Sequence, residues 1–233
     1  MECIKIGKVK SVYETDKEDE VLIVYHDMVT AGNGKRKDYP EGKGTLCCQI
    51  SKWFFEYLSG TYLTHYIECP EPNVMLCRKL NIIPVEVICR NLAAGSICRD
   101  IGLKEGMNLC SPLGTPLIEF NLKDDEKDDP LLSPDRVKLM GYNPETLADR
   151  ARDINCKLIQ VFDKMGLTLV DFKLEFGISA SGVLYVADEI SPDNMRLWKK
   201  DTKESMEKFI HQALVRREVV IELIAIAHRR GHR

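Results

Sequence analysis

The 233-residue chain has no hydrophobic run long enough to cross a membrane, and residues 1–10 contain no apolar signal-peptide core. Neither sign of charge is in excess. The formal net charge is -3, so no nucleic-acid or membrane partner is expected. None of the nine cysteines forms a C-x-x-C pair or an ordered pattern with histidine. Structural zinc and a disulfide framework are therefore not expected, whereas reduced thiols in a cytoplasmic protein are. G-x-x-x-x-G-K-[ST] and G-x-G-x-x-G are missing too, which removes P-loop and Rossmann nucleotide binding. There is no internal repeat and no low-complexity tract. The length suffices for one large domain or two modest lobes with a proper core.

The densest chemistry lies in residues 170–198. Polar Asp171, Lys173 and Glu175 alternate with Phe172, Leu174 and Phe176, the period of a half-buried strand. Turn formers occupy 177–182, and 183–190 reads as a second, antiparallel strand ending in Asp188 and Glu189, with Asp193 and Arg196 following. A solvated sheet face with weak surface ion pairs would explain the alternation of one strand. Two strands ending in the same acidic cluster favour a site. Mg²⁺ takes one or two carboxylates plus substrate phosphates, and a lysine beside them suits a magnesium nucleotide.

Elsewhere the signals are local. Gly7, Lys8 and Lys10 form a Gly/Lys turn between strand-like runs, followed by a buried strand at 21–25. Such a turn either folds over phosphates or is a plain hairpin with exposed lysines. Residues 27–43 form a long, polar, Gly-rich loop containing Asn33. The Gly42-Lys43-Gly44-Thr45 run has the wrong context for a phosphate loop. A helix at 45–58 carries Leu46, Ile50, Trp53, Phe54 and Tyr57 on one face, and His65 reads as structural. Strands are expected at 74–80 and 83–90, where Arg78 and Lys79 would offer phosphates a second cation. Arg90 and Ser96 bracket a small polar run that opens a helix; this is either an anion seat or Ser96 is simply the cap. A strand at 117–122 leads into the charge run 123–132, and a helix at 144–165 stops at Gly166. A last helix is expected over 202–228, with an apolar stripe that suits either a buried core face or a homodimer.

In order, GKVKSVYE, TAGNGKR, EGKG before a helix, PVEVICRNLAAGS, KDD-x-x-DDP, LVDFKLEFG and DEISPD-x-x-RLW resemble the phosphoribosylaminoimidazole-succinocarboxamide synthase (SAICAR synthetase) family. The match runs over about residues 4–200. The resemblance implies an α+β fold: a small antiparallel β-rich lobe (1–80) covering the nucleotide, and a larger mixed lobe (81–233) with ATP in the cleft. It also implies a ligase of purine biosynthesis that uses ATP and Mg²⁺ to join L-aspartate to carboxyaminoimidazole ribonucleotide.

Carried over residue by residue, the resemblance gives Lys8 and Lys10, with Lys79, to ATP, and Glu175 and Asp188 to Mg²⁺. Arg90, Ser96 and Arg196 would hold the ribonucleotide, and Lys173 would neutralise the reacting carboxylates. Lys123, Asp129 and Asp193 would line the substrate side, with Asn33 near the aminoimidazole. Asp171 is a candidate general base for the aspartate amine. The family usually continues with a D-x-F-R-like stretch and L-G-G, where this chain reads FIHQALVRRE at 209–218, so that arginine's role passes to no residue here. Two other readings stay open: a small-molecule kinase using the same lysines and metal, and a non-catalytic ATP-binding protein.

Overall fold

A computed structural model describes residues 2–31 and 36–200 of the chain. Asn33 and the helix expected over 202–228, with the atypical stretch 209–218, lie outside the described residues. The chain folds as two compact units, divided at Ile82/Ile83, and residues 177–193 group with the N-terminal unit rather than with the strand that precedes them. The lobes expected from the sequence, 1–80 and 81–233, divided the chain only once.

The first unit begins with β1 (Cys3–Ile6), β2 (Lys10–Glu14), β3 (Glu20–Tyr25), β4 (Val29–Ala31) and β5 (Arg36–Asp38). It continues through α1 (Lys43–Ser59), β6 (Tyr66–Glu71), β7 (Val74–Arg78) and β8 (Asn81–Ile82). Five strands form an antiparallel sheet in the order β1-β2-β3-β7-β6. Val21, Ile23 and Tyr25 alternate inward along β3, and α1 packs on β3, β6 and β7. The face α1 buries is Cys47, Cys48, Ile50, Phe54, Phe55 and Leu58. Trp53 and Tyr57, expected inside, are half-buried and stack on each other at 5.2 Å. The start of α1 is set by two glycines. Gly42 takes a positive φ, and a Cβ on Gly44 would lie 2.6 Å from the Tyr25 carbonyl oxygen. Their N–H groups donate to the Asp27 carboxylate, which supplies the acceptor that a helix N-terminus needs.

The second unit holds β9 (Val85–Arg90), α2 (Ser96–Ile101), β10 (Leu117–Leu122), β11 (Leu131–Leu132), α3 (Pro134–Leu139) and α4 (Pro144–Lys164). It also holds most of β12 (Leu167–Ile178). Strand order runs β11-β10-β9-β12, all antiparallel. α4 begins on a cap, Asn143 accepting from the Thr146 N–H, with Pro144 in the first turn. It buries Leu147, Ala151, Ile154, Leu158, Val161 and Phe162 against the core, each full-size side chain contributing about 1.5–3 kcal/mol. Buried Asn155 exchanges amide hydrogen bonds with Asn91, both 2.9 Å, and Asn91 also donates to the Leu169 carbonyl. That network holds the chain just beyond Arg90 in place.

In the first unit the last two residues of β12 pair with β8, and a turn at 179–182 leads to β13 (Leu184–Ala187). β13 is shorter than the strand expected at 183–190 because Asp188 adopts φ 62°, outside the extended region. β14 (Met195–Lys199) returns the chain to the second unit, antiparallel to β12.

Candidate functional site

Asp171 sits in the middle of β12 with an arginine on each neighbouring strand, Arg90 of β9 and Arg196 of β14. Register therefore aims two guanidinium groups at one carboxylate. Both Nη1 atoms donate to Asp171 Oδ2, Arg90 from 2.8 Å and Arg196 from 2.6 Å. Arg90 is held further by Glu119 through Nε at 2.5 Å and by the Ala94 carbonyl. Its Nη2 donates to the Ser96 hydroxyl at 2.9 Å. Ser96 is thus a partner of the arginine. The cap position of α2 belongs to Gly95, which makes no side-chain cap bond, so the capping alternative for Ser96 falls away. Gly95 has φ 67°, and a Cβ there would come within 2.4 Å of Arg196 Nη2. Only glycine lets the Arg196 guanidinium lie against this backbone. Burial pushes the Asp171 carboxyl up; the two arginines pull it back without cancelling the shift.

The rest of β12 shows why the half-solvated reading of its polar residues fails. Both faces are covered: Asp171 and Glu175 are as buried as Phe172 and Leu174. The charges are internal and paired. Lys173 Nζ meets Glu86 at 2.5 Å and Glu175 at 3.9 Å, and Lys123 pairs with Glu175 through the other oxygen. Asp129, expected on the substrate side, takes φ 47° and accepts the Asp124 N–H, so one of its oxygens shapes the 123–130 loop.

In the first unit, Lys10 Nζ lies 2.7 Å from Asp188 Oδ1, 3.5 Å from Glu189 Oε1 and 5.6 Å from the centre of the Tyr25 ring. Glu189 is buried, and that burial raises its carboxyl pKa although Lys10 opposes the rise. Burial also lifts the Tyr25 phenol, with Glu189 adding to it. His65, equally buried, is lowered to about 4 by desolvation, which fits the structural role read from the sequence. Lys43, the first residue of α1, is 2 % exposed and pairs with Asp193. A lysine in a first helical turn opposes the helix dipole, so its position answers to Asp193 rather than to the helix. Lys8 is exposed, and Lys79 meets Glu14 at 3.2 Å in a half-exposed pair worth little.

Sequence reasoning missed Lys43, Glu86 and Glu119. The EGKG run before the helix is the available signal for Lys43, although its context is wrong for a phosphate loop. Among the described residues no three His, Cys, Asp or Glu side chains cluster as a self-sufficient metal cage. Glu175 in the second unit and Asp188 in the first are each paired with a lysine, Lys123 and Lys10. No described helix is long and apolar enough to cross a membrane.

Known proteins are similar to this chain over most of its length. The family described as SAICAR synthetase matches residues 3–222. A phosphoribosylaminoimidazole-succinocarboxamide synthase from Methanocaldococcus jannaschii is 45% identical over 207 residues, 87% of this chain and 84% of the relative. One from Synechocystis sp. is 42% identical over 224 residues, 94% of this chain and 83% of the relative. Among solved structures, a SAICAR synthetase in complex with ADP superposes with a TM-score of 0.84 at 34% identity, covering 94% of this chain and 95% of that one. With its antiparallel sheets, its motifs in register and these matches over nearly its whole length, the chain belongs to the SAICAR synthetase family.

Proposed function

We propose that the chain performs its family's reaction with two sets of side chains: an arginine fork around Asp171 of β12 for the ribonucleotide, and lysine–carboxylate pairs for a magnesium nucleotide. As a member of the family it is an ATP-dependent ligase of purine biosynthesis. It joins L-aspartate to carboxyaminoimidazole ribonucleotide, giving SAICAR, ADP and phosphate. A carboxylate is a poor electrophile because its leaving group would be an oxide. Transfer of the γ-phosphoryl group makes an acyl phosphate, and the aspartate amine then displaces phosphate.

The demand on the protein is electrostatic. Triphosphate, ribonucleotide phosphate and three substrate carboxylates repel one another, each close pair by ~4 kcal/mol at an effective dielectric of 20. Fixed cations offset that repulsion and stabilise phosphoryl transfer. Arg90, Ser96 and Arg196 take the ribonucleotide phosphate, and Lys173 faces the reacting carboxylates. Lys10, with Lys8 and Lys79, takes the ATP phosphates. Glu175 and Asp188 are each carboxylates that would ligate Mg²⁺, and the ion would supply neutralisation of charge on the phosphoryl oxygens. Lys10 pairs with Asp188 and Lys123 with Glu175, which sets a cation beside each of these carboxylates. Asp193 with Lys43, Asp129 and Asn33 complete the substrate side. Asp171 serves the arginines rather than the amine, since both guanidinium groups occupy its Oδ2. The chain acts in the cytoplasm, on small molecules, as a homodimer.

The observation that carries this reading is the Arg90–Asp171–Arg196 fork with Ser96 at its side. A kinase acting on a hydroxyl has no need of a built anion seat, and a non-catalytic binder has no need of two sets. The ADP in the similar structure supports a nucleotide here as well. ADP release by the purified protein should require L-aspartate and the carboxylated ribonucleotide together. Release with neither present, or none with both, would refute the assignment.

A further inference from the structure

One pair of side chains in the first unit has no part in the reaction. Cys48 on α1 and Cys69 on β6 bring their sulfur atoms to 3.8 Å, van der Waals contact, although they lie 21 residues apart in the chain. Cys48 is fully buried and Cys69 is half-buried. β6 is an edge strand, and its ladder to β7 is irregular on both sides of Glu68. The backbone at Cys69 is therefore less tied than that of an inner strand and has room to close the distance to the ~2.05 Å of a disulfide.

We propose that Cys48 and Cys69 are a dithiol site that a hydroperoxide converts to an intramolecular disulfide. The two thiols are unequal. The sulfur–sulfur hydrogen bond, helped by Lys52 and Tyr66, lowers the Cys69 thiol against burial and Glu56. The same hydrogen bond, with burial, raises Cys48. Cys69, half-buried on the edge strand, is the thiol a peroxide can reach, so it is the nucleophile and fully buried Cys48 the resolving thiol. The Cys69 thiolate attacks the peroxide oxygen, the O–O bond breaks, and hydroxide leaves and is protonated to water, giving a sulfenic acid. Cys48 sulfur then attacks the Cys69 sulfur, the S–OH bond breaks, and the Cys48 proton leaves with hydroxide as a second water. Two thiols lose two electrons and hydrogen peroxide gains them.

The test uses the full chain, reduced and then treated with hydrogen peroxide at about one equivalent, quenched by alkylation and mapped as non-reduced peptides. A Cys48–Cys69 linked peptide, two hydrogens lighter than its parts and reversed by dithiothreitol, is the expected product. It should form while the exposed Cys3 and Cys156 are still alkylated in full. In Cys48→Ala, Cys69 should accumulate as sulfenic acid and be captured by dimedone. In Cys69→Ser, no link and no dimedone adduct at Cys48 should appear. Oxidation of Cys3 or Cys156 ahead of Cys69, or a link joining Cys69 to another cysteine, would overturn the proposal. If Cys48→Ala does not fold, the parent map and Cys69→Ser decide it alone.

Discussion

Replacing Asp171 with asparagine tests the centre of the site with almost no change of shape. The carboxylate is 4 % exposed and Arg90 is 3 % exposed, so their pair is internal, while Arg196 is one-third exposed. Removing one partner of a buried ion pair typically costs ~3–5 kcal/mol, because the other charge is left uncompensated. Glu119 still holds Arg90 through Nε, which places the cost at the lower end, about 3 kcal/mol. The solvent-screened pair with Arg196 adds little. The asparagine amide also turns a donor toward one of the two guanidinium groups. Urea unfolding at neutral pH, with an unchanged m-value, should show this loss directly. Kinetics should then separate the two roles considered for Asp171. As a positioning residue, its loss raises KM for the ribonucleotide about tenfold or more and leaves most of kcat, even though the seat becomes more positive. A general base at this position would instead abolish turnover at saturating ribonucleotide. Stability within about 1 kcal/mol of the parent, together with unchanged or tighter ribonucleotide binding, would refute the reasoning.

Gly95→Ala should act on Arg196 alone: the added Cβ meets its guanidinium at 2.4 Å and the backbone at φ 67° resists a side chain. A ribonucleotide KM raised tenfold or more, with the KM for ATP unchanged, is the expected kinetic signature. Asp188→Asn keeps a residue type that tolerates φ 62° while removing the ligand charge. Mg²⁺-dependent turnover should fall by two orders of magnitude or more at an unchanged melting temperature, and normal turnover at saturating Mg²⁺ would take Asp188 out of the site. His65 has a folded pKa near 4 against 6.5 in a free side chain. The unfolded state therefore binds the extra proton first as pH falls. The stability His65 contributes is complete above about pH 6.5 and lost on acidification toward pH 4, about 2 kcal/mol of it by pH 5. In His65→Leu the loss of stability between pH 7 and pH 5 should shrink by that amount in urea melts; an unchanged difference would show that another group titrates.

Much of this protein was legible one element at a time. The 144–165 periodicity, with Gly166 as the stop signal, placed α4 to within a residue. The alternation at 171–176 placed β12, and Leu117–Leu122 was found with its bounds. The motif order carried the family, hence the reaction. Local pattern failed where two distant segments had to be known together. Val183–Ile190 looked like one strand because strand propensity says nothing of the turn that Asp188 makes. For Ser96 the sequence left an anion seat with Arg90 and a plain helix cap equally open, and only the contact between the two side chains removes the cap. The face of α1 was misplaced toward Trp53 because the sheet, not the helix, decides which side is buried.

The sequence alone therefore determined the class of the strongly patterned elements such as α1, α4, β10 and β12, and the family, since these follow from periodicity and motifs read over a few neighbours. Tertiary structure alone decided which charges meet. Arg90 and Asp171 are 81 residues apart, and Lys43 and Asp193 are 150 apart. A two-residue period assigns side chains to alternate faces but cannot say that both faces are covered. It is that coverage, removing water from both sides of β12, that makes Asp171 and Glu175 paired internal charges instead of a solvated surface.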